Sequence, residues 1–185
     1  RQCITHWALE TFSEILGKGR HDLGINLIYD VAHNIAKIEQ HVVDGQELKV
    51  VVHRKGATRA RPPPPPALAP PHSAGGAPGG LPRAQGRYSY VAVGTEVAMM
   101  ETLGSTCHGA GRVQSRTAAK RNLRGQDISQ RLASRGITVM AGNRAALAEE
   151  ASEAYKDVSH VVEITHRAGI SRKVARTRPL GVIKG

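Results

Sequence analysis

The chain has 185 residues, and 26 Lys and Arg against 15 Asp and Glu give it a formal net charge of +11. This surplus favours polyanionic partners, nucleic acid first, although an acidic membrane surface also fits the charge alone. Two cysteines exclude a disulfide framework, and the lack of an apolar run of roughly 20 residues excludes a membrane span, so we expect a cytoplasmic protein. An aromatic content of 3% argues against RNA binding that depends mainly on base stacking.

Apolar periodicity and turn residues predict helices and strands without regular βαβ alternation, which indicates the α+β class. Before the proline-rich stretch we expect a helix over 2–17 closed by Gly17, a strand over 25–31, a helix over 33–40, a strand over 47–53 and a loop over 54–60. After it we expect a strand over 88–94, a helix over 96–103 capped by Thr95 and a loop over 104–112. The remaining elements are helices over 113–123 and 127–135, a strand over 137–140, a helix over 144–156 and an apolar stretch over 158–168. Because helical periodicity starts with the first residues, we expect the chain to begin within a domain.

Residues 61–85 differ in composition from the rest of the chain. Nine of the ten prolines lie between Pro62 and Pro82, interleaved with Ala and Gly and without a periodic apolar face. Such a composition is typical of a disordered or polyproline-type linker.

The loop STCHGAGR, 105–112, is the most informative segment for chemistry. Small residues around His108 let the backbone approach a ligand closely, and successive backbone N–H groups can form an anion-binding nest. Arg112 adds a guanidinium fork for phosphate. A neutral imidazole can attack phosphorus, so His108 is a candidate nucleophile. An ordinary glycine-rich turn with an incidental histidine explains these residue types equally well.

Two further segments carry candidate ligands. His33 and Asn34 lie where a strand is expected to end, and an imidazole there suits manganese or zinc, although one histidine cannot hold a metal and an interior histidine fits as well. The basic loop HRKGATRA offers Lys55 and Arg59 to the phosphates of a triphosphate or an RNA end, or forms a solvated basic turn. Lys184, between apolar residues near the end of the sequence, is a candidate donor to a base or phosphate.

Five segments in this order resemble the RtcB family of RNA ligases: YDVAHNIAKIE, HRKGATRA, CHGAGR with the following SR, AYKDV and RPLGVIKG. Their spacing is also similar to that of the family. The resemblance covers residues 1–60 and 86–185, and it implies the RtcB-like fold of mixed sheets flanked by helices.

The resemblance implies a GTP- and Mn²⁺-dependent ligation of RNA. His108 would attack the α-phosphate of GTP and pass the GMP to an RNA 3′-phosphate, which often arises from a 2′,3′-cyclic phosphate. A 5′-hydroxyl would then displace GMP. By position, His33 resembles a manganese ligand. The nucleotide would lie against the residues that match the family's contacts, namely His33, Asn34, Ser89, His108, Gly109, Ala110, Gly111, Tyr155 and Lys184.

Two departures from the family's pattern bear on activity. The family's other metal ligands, an aspartate, a cysteine and two histidines, lie in an N-terminal half that this sequence does not contain. We therefore expect residues 1–185 to be the C-terminal portion of one catalytic domain, inactive without the other half and open to activation by a partner protein. The family also has Pro-Gly-Ser-Met where this chain has Pro82, Arg83, Ala84 and Gln85. We interpret 61–85 as an aberrant segment read out of frame up to about Gly86, and an uninterrupted reading frame in resequenced DNA would exclude this.

Two alternatives to the ligase belong to other classes. A non-catalytic remnant of the family would keep the +11 charge and bind RNA without reacting. A metal-dependent phosphohydrolase would use the same loop without a covalent intermediate. The ligase also predicts a pH dependence, because imidazole attacks only when neutral and its ordinary pKa is about 6.5. Guanylation should therefore decline on acidification below that pH.

Overall fold

The computed structural model describes residues 2–26, 32–62, 78–81, 88–123, 127–140, 144–149 and 151–178. The chain divides into two compact units, Arg1–Ala32 and His33–Gly185. In the first unit, helix α1 spans Gln2–Leu16 and ends at Gly17, whose φ is 60°. The Lys18 N–H then donates to the Ser13 carbonyl, as in a Schellman motif, so the predicted helix and its end are confirmed. Ile25 and Asn26 have no regular structure, and the remainder of the strand predicted over 25–31 lies outside the described residues.

The second unit combines small antiparallel sheets with short helices, which confirms the α+β class. Strands β1 (Asn34–Val43) and β2 (Gln46–Lys55) form one hairpin. Strand β3 (Ala57–Arg59) pairs with β6 (Ser105–Cys107), and β5 (Ser89–Gly94) lies between β4 (Pro78–Leu81) and β7 (Ser171–Thr177). The helices are α2 (Glu96–Glu101), α3 (Arg116–Asn122), α4 (Ile128–Ala133), α5 (Arg144–Glu149) and α6 (Val158–Arg167), and a 3-10 turn spans Ser152–Ala154.

The helix predicted over 33–40 is wrong, because these residues enter strand β1. Ile35 and Ile38 are three positions apart, which is typical of a helix, but they lie on opposite faces of the strand. The hairpin also reverses the usual burial pattern. Its inner face buries the polar Glu39 and His41, whereas Ile38 and its cross-strand partner Val51 are both about two thirds exposed, at 66% and 68%. Pairing with β2, not local periodicity, decides the conformation.

The two predicted loops are also partly wrong. Arg54 and Lys55 complete β2, residues 57–59 form β3, and only Gly56 turns between them. In the loop predicted over 104–112, residues 105–107 form β6. Within the stretch predicted to be disordered, 78–81 form β4, with Pro78 as its first residue. A proline that begins a strand at the sheet edge removes no ladder hydrogen bond from the sheet interior.

The C-terminal predictions are mixed. Strands 47–53 and 88–94 are confirmed within a few residues, and Thr95 accepts the Ala98 N–H at the start of α2, as predicted. The strand predicted over 137–140 is wrong, because Ile137 and Val139 pack against a helical core instead of pairing with a strand. Helices α3, α4 and α5 are shorter than predicted, α6 lies in the predicted apolar stretch, and β7 was not predicted.

Two apolar clusters stabilise the second unit. Six side chains from helices α3, α4 and α5 and from the segments around them form the first, namely Leu123, Ile128, Leu132, Leu147, Ala148 and Ala151. The second joins Tyr90 of β5 and Ala110 to Val158 and Val162 of α6. Among the helices that the structure describes, none combines the length and apolar character needed to cross a bilayer.

Candidate functional site

Two histidines that the sequence places in separate motifs lie side by side. The rings of His33 and His108 stack, with centroids 4.1 Å apart and planes inclined by 25°. His33 directly precedes β1 and is exposed, whereas His108 directly follows β6 and is half-buried. The arrangement leaves one ring open to solvent and holds the other against it.

A single residue, Gly56, joins the backbones of the two histidines. The Gly56 N–H donates to the His33 carbonyl at 2.8 Å, and the Gly56 carbonyl accepts the His108 N–H at 3.3 Å. Gly56 has a φ of 69°, a conformation that glycine adopts without steric cost. The turn between β2 and β3 therefore sets the distance between the two histidines. Gly56 lies within the HRKGATRA motif, but no local signal in the sequence indicates its role.

The loop that carries His108 is anchored on both sides. Cys107 and Ala110 pack against the cluster of Tyr90, Val158 and Val162, whereas a Cβ built on Gly109 would meet nothing within 4 Å. His108 and Gly109 therefore lie at the accessible part of a fixed loop, with open space for a ligand beside them. This is the arrangement that the close approach of a phosphate requires.

The neighbouring thiol is a poor competitor for nucleophilic attack. Burial raises the pKa of Cys107, against smaller opposing effects of hydrogen bonds with Thr106 and Thr165. Since the thiolate is the reactive form, the Cys107 side chain remains in its unreactive state near neutral pH. Of these two adjacent side chains, His108 stays the candidate nucleophile predicted from the sequence.

Three of the predicted polar ligands surround the histidine pair along the backbone. Lys55 precedes Gly56 and pairs in register with Asn34, which follows His33. Arg59 pairs in register with Ser105 and its guanidinium lies 3.9 Å from the Glu39 carboxylate. The cations of the HRKGATRA segment therefore belong to the strands that lie next to the histidines, and their contact with phosphate stays a prediction.

Arg112 and Tyr155 are brought together by the fold. The Arg112 guanidinium lies over the Tyr155 ring at 4.8 Å and donates to the Tyr155 hydroxyl at 3.1 Å. It also donates to the Gln114 and Glu149 carbonyls at 3.0 and 2.8 Å. Arg112 thus ties the end of the HGAGR loop to residues near the start of α6. Its predicted contact with phosphate remains a prediction.

The remaining predicted residues lie elsewhere in the chain. Ser89 begins β5, is half-buried and pairs with Thr177 of β7. Lys184 lies outside the described residues. The predicted contacts of Ser89 and Lys184 with a nucleotide therefore stay predictions.

The described residues fit a nucleotide better than they fit a complete metal centre. The half-buried His108, the open space at Gly109 and the adjacent Lys55 suit a phosphate group. No group of three His, Cys, Asp or Glu side chains that could hold a metal ion occurs within the described part of the chain. Manganese prefers oxygen and imidazole ligands, and here His33 offers only one imidazole besides that of His108. These residues alone do not form a manganese site.

The fold and the site define an α+β protein with a stacked histidine pair on a glycine turn, within a strongly basic chain. The family described as "tRNA-splicing ligase RtcB" matches residues 1–185. The chain belongs to this RtcB family of RNA ligases.

Several curated relatives carry the name "tRNA-splicing ligase RtcB". The protein of Archaeoglobus fulgidus is 56% identical over all of this chain, which spans 38% of that protein's length. The proteins of Pyrococcus abyssi and Methanocaldococcus jannaschii are each 54% identical over the whole chain, which spans 20% and 19% of their lengths. The chain therefore spans well under half of the relatives that it matches, and the matched region includes the proline-rich stretch.

Proposed function

We propose that this chain supplies the nucleotide-accepting part of a GTP-dependent RNA ligase, with His108 as the residue that becomes guanylated. The observation that carries the proposal is the stacking of His33 on His108 at 4.1 Å, at the end of an anchored glycine-rich loop. Membership of the tRNA-splicing ligase family supports RNA as the substrate, and the net charge of +11 suits a polyanion.

The proposed reaction begins at the imidazole of His108. A neutral ring nitrogen attacks the α-phosphorus of GTP, a P–N bond forms and pyrophosphate leaves. The stacked ring of His33 holds the His108 imidazole in one orientation, which reduces the entropy lost on reaching the reactive geometry. Lys55, which precedes Gly56 on β2, would offset phosphate charge.

The guanylate then passes to RNA. An oxygen of the RNA 3′-phosphate attacks the phosphorus of the histidine-bound GMP, which breaks the P–N bond and frees the imidazole. A 5′-hydroxyl oxygen next attacks the activated 3′-phosphate and GMP leaves, so a 3′–5′ phosphodiester forms. A 2′,3′-cyclic end must first be hydrolysed to the 3′-phosphate. We place this reaction in the cytoplasm, which suits the free Cys3 and Cys107.

The proposed reaction also requires manganese, and manganese requires further ligands besides His33. Bound at His33 with further ligands, it would polarise phosphate oxygens. The described residues do not complete such a site, so we propose that the further ligands come from outside the described part of the chain. We expect the chain alone to bind RNA and to form little or no adduct.

The test is transfer of label from [α-³²P]GTP to protein in the presence of MnCl₂. We would use this chain and a chimera in which it replaces the matched 185-residue segment of the Archaeoglobus fulgidus relative. We expect an acid-labile protein–GMP adduct in the chimera, lost in His108→Ala and retained in His160→Ala. His160 is an exposed histidine of α6 and serves as the matched control.

The other outcomes separate the competing functions. RNA binding without an adduct in the chimera would favour the non-catalytic, basic RNA-binding remnant. Release of GMP or pyrophosphate without an adduct would favour a phosphohydrolase. An adduct that survives in His108→Ala would place the guanylated residue elsewhere and overturn the proposal.

A further inference from the structure

A buried ion pair lies on the inner face of the β1–β2 hairpin. The Arg54 guanidinium donates to both oxygens of the Glu39 carboxylate, at 2.9 and 2.8 Å. The two side chains are only 2% and 3% exposed. His41 adds a contact to the same carboxylate at 3.1 Å. Two parallel hydrogen bonds fix the guanidinium plane as well as its position.

The remaining N–H groups of Arg54 donate to residues outside the hairpin. Its Nε donates to the Ser105 hydroxyl and its Nη2 to the Leu103 carbonyl, both at 2.8 Å. Leu103 has a φ of 50° and Gly104 a φ of 62°, so the backbone turns through two left-handed residues here. A non-glycine residue in that conformation persists only when its surroundings hold it. Arg54 provides one of those restraints.

The same arginine is connected through the backbone to both histidines of the site. It lies two residues before Gly56, whose N–H and carbonyl bond the backbones of His33 and His108. The turn that it holds at Leu103 leads directly into β6, and His108 follows β6. Arg54 therefore restrains the His108 strand from one side and the Gly56 turn from the other.

We infer that Glu39 is a positioning residue for the histidine pair: it fixes Arg54, and Arg54 fixes the turn and strand that bring the His108 ring onto His33. The inference rests on the proposed function for its catalytic meaning, because a displaced His108 would no longer meet GTP in the reactive geometry. The stacking of the two rings is a property of the chain itself and can be measured without nucleotide. Glu39 acts on the His33 and His108 rings through Arg54.

The primary experiment measures ring stacking in this chain by NMR. Nuclear Overhauser effects between the His33 and His108 ring protons, assigned with His33→Ala and His108→Ala, are expected in the wild type. They should disappear in Arg54→Lys, because one ammonium cannot make four hydrogen bonds to three separate groups. Glu39→Gln, which keeps the shape and removes the charge, should weaken them in parallel.

A stability-matched control separates positioning from general destabilisation. Leu132→Ala removes a buried side chain from the helical cluster around α3, α4 and α5, which contains neither histidine. It should lower the melting temperature at least as much as Arg54→Lys and leave the ring contacts intact. If Leu132→Ala also abolishes the contacts, or Arg54→Lys retains them, the inference is wrong.

A double variant gives a second test that does not depend on a matched loss of stability. Replacing a buried ion pair by apolar residues is often neutral, whereas removing one partner leaves an unpaired buried charge. Glu39→Leu with Arg54→Met should therefore recover much of the melting temperature lost in Arg54→Met alone. Ring contacts should stay absent, because the bridge to Leu103 and Ser105 is gone. Recovery of both would show a purely structural role.

Guanylation adds a third measurement and distinguishes the two proposals. In the chimera, Arg54→Lys should slow adduct formation by on the order of 10²-fold, the loss expected when a reacting group is misplaced by about 1 Å. If the wild-type chimera forms no adduct, the proposed function fails. The NMR result on this chain then still decides the inference about Glu39.

Discussion

At the scale of single residues, the backbone of Gly56 connects the two histidines of the site. Its N–H and carbonyl bond the backbones of His33 and His108, and its φ of 69° is needed to point both groups correctly. Gly109, three residues before Arg112, contributes differently, because a Cβ there would meet nothing within 4 Å and its φ is not left-handed. Substitution by alanine is therefore expected to strain the backbone at Gly56 and to fill open space at Gly109.

Gly56→Ala should destabilise the chain by about 1–2 kcal/mol, the cost of placing a side chain in the left-handed region. Gly109→Ala should leave the free energy of unfolding within about 0.5 kcal/mol of the wild type, and should slow guanylation in the chimera because the new methyl group occupies the open space. Urea denaturation measures the first quantity and label transfer the second. Equal destabilisation by both substitutions would contradict the role assigned to the Gly56 turn.

At the scale of elements, the sequence predicted best where apolar alternation was strong. Strands β2 and β5 and the Thr95 cap were found because their signals are local. Strand β1 was missed because its buried positions are Glu39 and His41, so the pattern of burial is the reverse of the usual one. Strand β7, SRKVART, is exposed at six of seven positions and owes its conformation to pairing with β5, which no local pattern contains.

The candidate site was likewise predicted only in part from the sequence. Resemblance placed His33 and His108 in one site, and the structure brings their rings together. Glu39 and Arg54 were within quoted motifs but had no assigned role, because an ion pair between strands depends on the hairpin register. A buried acid at position 39 and an arginine at position 54 would have been a usable signal if residues 33–40 had been assigned to a strand.

The β1–β2 hairpin should lose stability in acid through Glu39. Burial raises the pKa of this carboxyl and is the largest single effect, but hydrogen bonds from Arg54 and His41 and the charges of Arg54 and Arg61 together lower the pKa from 4.5 to about 2. A pKa lowered in the folded state gives stability that is complete above about pH 4.5 and is lost as the pH falls to about 2.

Urea denaturation at several pH values measures this contribution. Wild type should exceed Glu39→Gln in free energy of unfolding at pH 6, and the difference should shrink as the pH falls from about 4.5 to about 2. Because the Glu39–Arg54 ion pair is buried, the difference between wild type and Glu39→Gln at pH 6 should persist in 1 M salt. The contribution of the exposed Glu163–Arg167 ion pair should instead be screened by that salt. A difference independent of pH would mean that the carboxylate charge contributes nothing.

At the scale of the whole molecule, the net charge of +11 dominates encounters with polyanions. Binding of a labelled RNA oligonucleotide should weaken linearly in log Kd against log salt concentration, with a slope of about 0.7 per phosphate contacted. Fluorescence anisotropy between 50 and 200 mM KCl measures that slope. Affinity that does not change with salt would show that the basic surplus is not what binds RNA.

The stacked pair of His33 and His108 has a thermodynamic consequence for the chain. The two rings come from distant parts of the sequence and meet only after the β1–β2 hairpin and the β3–β6 pair have formed. A nucleotide that contacts both rings, as we propose, would bind the folded chain and would find no comparable site on the unfolded one. Such a ligand would shift the folding equilibrium towards the folded chain by mass action.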